Sequence, residues 1–133
     1  MESLEHTFRA LSDGTRIRIL CLLRPGELCV GDLVELLGVA QPTASRHLAY
    51  LRRNGLVETR RDGQWAFYSL SKPSTSFEHA LLACLDASRQ EQPELIDDAR
   101  RAEALRVSGG CCPAVDATPS RGCGTSAAAG ATR

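Results

Sequence analysis

Six cysteines stand at positions 21, 29, 84, 111, 112 and 123 of this 133-residue chain, and the last three fall within thirteen residues. Spacing within a cysteine set says more about its chemistry than the total does. Adjacent Cys111 and Cys112 can present two sulfurs to one ion if the backbone is unconstrained, and Gly109-Gly110 before them permits that. Cys123 follows after ten residues rich in Gly, Pro, Ser and Ala, a short flexible loop that costs only a few kcal/mol to close. Soft thiolates select soft ions. Trivalent arsenic or antimony bonds three of them in a pyramid, its lone pair filling the remaining direction. A second stretch carries chemistry of another kind: Gln41-Pro42-Thr43-Ala44-Ser45-Arg46-His47-Leu48-Ala49-Tyr50-Leu51-Arg52-Arg53 alternates leucines with polar and basic side chains. Such a segment offers hydrogen bonds to base edges and charge to phosphates.

The remaining cysteines read differently. Cys21 beside Leu20 in an apolar run behaves as a small hydrophobe, and Cys84 beside Leu85 reads mainly as packing. Cys29 and Cys84 nevertheless stay open as rival third ligands to Cys111 and Cys112. Zinc prefers four ligands in a tetrahedron. His6, His47 and His79 do not cluster with carboxylates, so a zinc or nickel site is not expected. No permanent cofactor is implied.

Composition bounds the partners. The formal net charge is zero, but from Gln41 to Gln64 five arginines (46, 52, 53, 60 and 61) face only Glu58 and Asp62, a local charge of +3. A neutral chain can carry a basic face, and nucleic acid responds to the face. No apolar run approaches the roughly 18 residues that span a bilayer, and the first residues lack the basic-then-apolar pattern of a secretory signal. The expectation is a cytoplasmic protein that does not engage the membrane, with cysteines kept reduced. Residues 1–106 are expected to form one folded domain. Residues 107–133, with no aromatic side chain, read as a flexible Gly/Ala/Ser-rich tail carrying three cysteines.

The elements that position these residues are legible from periodicity. Leu4, Phe8 and Leu11 mark a first short helix. Asp13 or Thr15 can cap a second, with Ile17, Leu20 and Leu23 on one face. Arg24-Pro25-Gly26-Glu27 is a turn. Val30, Leu33, Leu36 and Leu37 make a third helix ended by Gly38. Pro42 suits the first turn of a fourth, whose inward stripe is Ala44, Leu48 and Leu51. Two strand candidates, from Leu56 to Arg61 and from Gln64 to Leu70, flank the hairpin signal Asp62-Gly63. Phe77, Leu81, Leu82 and Leu85 return to helical spacing, opened by a cap at Thr75 or Ser76 and interrupted at Pro93 before continuing to Arg106. The fold expected is mostly α with a β-hairpin, in the order α-α-α-α-β-β-α.

The third and fourth helices, joined by Gly38 to Gln41, have the size of a helix-turn-helix. Gln41, Thr43, Ser45, Arg46, His47, Arg52 and Arg53 are the candidate DNA-contacting residues on its second helix. Arg60, Arg61 and Gln64 join them at the hairpin, which can act as a wing. Trp65 and Phe67 share a strand face, and Phe67 reads as core.

The runs Leu11-Ser12-Asp13-Gly14-Thr15-Arg16-Ile17-Arg18-Ile19-Leu20, Gly26-Glu27-Leu28-Cys29-Val30-Gly31-Asp32-Leu33, Gln41-Pro42-Thr43-Ala44-Ser45-Arg46-His47-Leu48, Gly55-Leu56-Val57 and Arg61-Asp62-Gly63-Gln64 resemble the ArsR/SmtB family of winged-helix repressors. The resemblance runs from about Leu4 to Leu70. It implies a homodimer, held by the first and the long helices, that binds a partly palindromic double-stranded operator and leaves it when an inducer binds. Arsenic-sensing members carry Cys-Val-Cys on the third helix, where this chain reads Cys29-Val30-Gly31. Other arsenic-responsive members use an adjacent pair near the C-terminus with a third cysteine beyond it, which Cys111, Cys112 and Cys123 resemble. The paired Asp/His and His/Glu groups of the family's zinc and nickel sites are absent.

The expected function is therefore a repressor released from its operator by arsenite or antimonite at Cys111, Cys112 and Cys123, not an enzyme. A thiol redox switch on the same DNA reader is the alternative. An enzyme would need a nucleophile and base that this pattern does not bring together, and an interaction module would not need the basic face.

Overall fold

The computed structural model describes residues 1–109. Four helices come first, interrupted by a very short strand: α1 (Glu2–Ala10), α2 (Gly14–Leu22), β1 (Leu28–Cys29), α3 (Val30–Leu37) and α4 (Gln41–Arg53). A hairpin follows, β2 (Val57–Asp62) and β3 (Trp65–Leu70), and then α5 (Ser76–Glu91) and α6 (Pro93–Val107). The α-α-α-α-β-β-α order expected from periodicity is present, with β1 and α6 in addition.

Local chemistry sets the boundaries. The Asp13 carboxylate accepts the Arg16 amide at 3.1 Å and caps α2. Gly38 ends α3 in the left-handed region at φ +69, where a Cβ would be strained. Pro42 sits in the first turn of α4. At α5, Thr75 Oγ1 accepts the Glu78 amide at 3.1 Å, while Glu78 reaches back to the Ser74 amide at 2.7 Å, one residue earlier than a standard capping box. That amide and the Ser74 hydroxyl hold the Glu78 carboxyl below its ordinary range.

Pro93 does more than interrupt a helix. It forces Gln92 into extended backbone (φ −91, ψ 121), so Gln92 closes α5 and opens α6. The α6 helix then packs against α2, α3 and α5. Its Leu95 and Ala102 join one apolar core with Ile19, Leu20, Leu33, Leu48, Leu51 and Val57, so its apolar stripe is spent inside the subunit. Its polar residues hold the helix-turn-helix from behind. Asp98, 2% exposed, accepts Arg18 Nε and Nη2 at 2.8 and 2.9 Å. Arg101 donates to the Leu36 carbonyl at 3.0 Å, one of the last carbonyls of α3. Arg106 donates to the Gly26 carbonyl at 2.8 Å.

The sheet is antiparallel in the order β1-β3-β2. Asp62 pairs with Trp65 across the hairpin, with Gly63 at φ +66 in the turn. β1 went unread in the sequence because two residues carry no period. It pairs Leu28 with Tyr68 and Cys29 with Phe67, which seats the base of the hairpin directly before α3.

Candidate nucleic-acid interface

Ala44, Leu48 and Leu51 of α4 are fully buried, which fixes how the rest of that helix faces. Arg46, Arg52 and Arg53 are exposed, and Gln41, Thr43, Ser45 and His47 are half-buried, all off the leucine stripe. The seven candidates on this helix therefore lie on its outward side. Basic Arg52 and Arg53 also occupy its last turn, where positive charge suits the helix dipole.

A residue that periodicity gave no reason to single out organises this surface. Arg16, on the first turn of α2, donates through Nε to the Ala10 carbonyl at 2.8 Å and through Nη2 to the Arg9 carbonyl at 3.3 Å. Its Nη1 lies 3.4 Å from His47 Nδ1, and its guanidinium carbon stacks 4.2 Å from the centre of the Tyr50 ring. Arg53 lies over the same ring at 5.6 Å. Arg16, His47, Tyr50 and Arg53 thus form one cationic and aromatic cluster joining α1, α2 and α4. Asp13 borders it. Burial would raise that carboxyl, but its bond from the Arg16 amide and the positive Arg16 guanidinium nearby bring it below its ordinary range.

On the hairpin, Arg61 and Gln64 are exposed beside the turn. Arg60 is placed differently. Its Nε donates to Glu27 Oε2 at 3.0 Å, and its guanidinium carbon lies 4.5 Å from the Phe67 ring centre. The Glu27 bond holds the Arg60 guanidinium above its ordinary range. Arg60 is thus paired with a carboxylate across the fold.

The thiols divide as well. Cys111, Cys112 and Cys123 lie outside the described residues. Cys29 is 1% exposed, packs with Phe67 and Trp65, and caps α3 by accepting the Asp32 amide at 3.4 Å. It is disulfide-bonded, whereas Cys21 and Cys84 carry free thiols. Burial pushes the Cys21 thiol up to about 11, which removes it as a thiolate near neutrality. Cys84 is exposed on α5. Among the described residues no three His, Cys, Asp or Glu side chains group closely enough to hold a metal ion. Nor is any described helix long and apolar enough to cross a membrane.

Comparison with known proteins fits this geometry. The family model described as bacterial regulatory protein, arsR family, matches residues 13–59, from the cap of α2 into β2. The chain is 47% identical over 76 residues to the arsenic resistance transcriptional regulator ArsR2 of Pseudomonas putida, covering 56% of this chain and 66% of that protein. It spans 58–66% of the length of the first curated relatives it matches. The solved structure of HlyU from Vibrio cholerae superposes with a TM-score of 0.58 at 37% identity, covering 68% of this chain and 92% of that one. The homodimeric winged helix-turn-helix DNA-binding domain of Mb0332 from Mycobacterium bovis, a possible ArsR-family regulator, superposes at 0.57 and 31% identity, covering 70% and 83%. Fold, reading helix and sequence converge: this chain belongs to the ArsR/SmtB family of winged helix-turn-helix transcriptional regulators, a family of DNA-binding proteins rather than catalysts.

Proposed function

We propose that this protein is a homodimeric transcriptional repressor that binds an operator through α4 and the hairpin and is released when trivalent arsenic or antimony bonds to cysteine thiolates. The observation that carries the reading is the outward polar and basic face of α4, seated on buried leucines, in a segment closely similar to a regulator named for arsenic resistance. Gln41, Thr43, Ser45, Arg46 and His47 read base edges, while Arg52, Arg53, Arg61 and Gln64 hold the phosphates. Arg60, held to Glu27 in the free chain, joins them at the wing.

The inducer site consists of Cys111, Cys112 and Cys123. Three thiolates on a trivalent metalloid supply the binding energy, and coupling comes from the position of the pair, four residues beyond the end of α6. Because Arg101 of α6 holds the Leu36 carbonyl near the end of α3, a shift of that helix biases the reading head. The test uses the reduced full-length protein and a duplex from upstream of its own gene. Cys111→Ser with Cys112→Ser is expected to bind the duplex as wild type does and to stay bound in arsenite. Wild-type release in that double variant sinks the assignment.

One observation favours a second reading. Cys29 is both disulfide-bonded and the cap of the first helix of the reading head, so oxidation there would act on α3 directly. Release by peroxide, reversed by a dithiol and lost in Cys29→Ser, would select a redox switch.

A further inference from the structure

The contact between Arg16 and His47 bears on what the reading helix can ask of DNA. A guanidinium has five N–H donors and no acceptor. The ring nitrogen facing it, His47 Nδ1 at 3.4 Å from Nη1, must therefore be the unprotonated one. A neutral imidazole then carries its proton on Nε2, on the far side of the ring. Arg16 is poorly able to move out of the way. Two carbonyls at the end of α1 take its Nε and Nη2, and the Tyr50 ring lies under its guanidinium. His47 itself is held by the helix register between Arg46 and fully buried Leu48.

We propose that Arg16 is a positioning residue for DNA recognition, holding Nδ1 of His47 toward its guanidinium so that Nε2 is the donor presented outward. Resting on the operator-binding reading above, this names the kind of atom His47 addresses: an acceptor, such as purine N7, guanine O6, thymine O4 or a phosphate oxygen, and never a base amino group. A histidine free to exchange tautomers would accept either. Arg16 also ties this choice to α1, whose last carbonyls orient the guanidinium, so a change at the end of α1 reaches the reading helix through one side chain.

The experiment has two arms. Long-range proton–nitrogen spectra of the labelled full-length protein, recorded at about pH 8 where an ordinary imidazole is neutral, report each ring's tautomer. His6→Gln and His79→Gln identify the His47 signals. The expected signature is a bare Nδ1 and a protonated Nε2, becoming a tautomer mixture in Arg16→Gln. A protonated Nδ1 in the wild type, or an Arg16→Gln ring identical to it, overturns the proposal. Should Arg16→Gln fail to fold, the wild-type signature decides alone.

In the second arm, glutamine at 47 keeps a donor where Nε2 stands, while asparagine places its amide where Nδ1 stands. His47→Asn is expected to bind the duplex about tenfold more weakly than His47→Gln. The reverse order refutes the donor role. Failure of the wild type to bind any duplex from that region would instead sink the operator reading, the ring signature still deciding what Arg16 does to His47.

Discussion

At Cys21 a single sulfur shows how burial alone sets chemistry. It is 3% exposed among Leu20, Leu22 and Leu23, and its thiol is pushed up from 9.0 to about 11 by desolvation, with the Arg89 charge opposing. The sign follows from which state ionises first. An unfolded chain releases that proton near pH 9.0, the folded one near 11, so the contribution to stability is whole below pH 9 and is lost as pH rises through 11. Urea unfolding across that window should show a loss of about 1.4 kcal/mol per pH unit that is absent in Cys21→Ala. Parallel pH profiles for the two proteins would show that this sulfur titrates normally. Arg60 teaches the converse lesson about exposed charge. Its sequence position beside a hairpin tip looks like that of Arg61, yet Glu27, thirty-three residues away, claims it.

Among the elements, α6 carries the consequence that periodicity could not supply. Its spacing reads as a resumption of the preceding helix, whereas in the fold it is a brace against α2 and α3. The Arg18–Asp98 pair is its anchor: bidentate, with Asp98 almost wholly enclosed, and holding the Arg18 guanidinium above its ordinary range chiefly through that hydrogen bond. Arg18 is one-fifth exposed, so water would recover part of what Asp98→Ala removes. The expected cost is about 2–3 kcal/mol, below that of breaking a fully dry pair. Urea denaturation at fixed protein concentration measures it; an unchanged midpoint would mean that α6 is not anchored there. Thr75 and Gly38 are smaller cases in which the local rule held, one as a side-chain cap and the other as a left-handed terminus.

For the whole molecule, what remains uncovered matters most. Phe8 is 55% exposed on α1 and Phe77 37% exposed on α5, their rings 5.8 Å apart, with Leu4 on the same first helix also exposed. A small domain rarely leaves adjacent aromatics in water without use for them. They fit the dimer proposed here, formed by α1 and α5, while α6 spends its stripe internally. Phe8→Glu combined with Phe77→Glu should convert a dimer to a monomer in sedimentation at micromolar concentration. Duplex affinity should fall about a hundredfold or more as the second half-site contact is lost. A double variant that stays dimeric would place the interface elsewhere.

The sequence by itself determined the helix-turn-helix, the hairpin and the succession of the first four helices, the hairpin and the long helix after it. Those signals are short-range: leucines three and four residues apart, Asp62-Gly63 at a turn, Pro42 at a helix start. Each acts within a few residues, so each survives without knowledge of the rest of the chain. The tertiary structure alone decided where α6 lies, that β1 exists, that Arg60 belongs to Glu27 and that Arg16 faces His47. Those contacts join residues from 31 to 80 positions apart, and no local period encodes them. They form because burying one shared core brings distant polar groups within reach, and each then takes the partner that packing has left beside it.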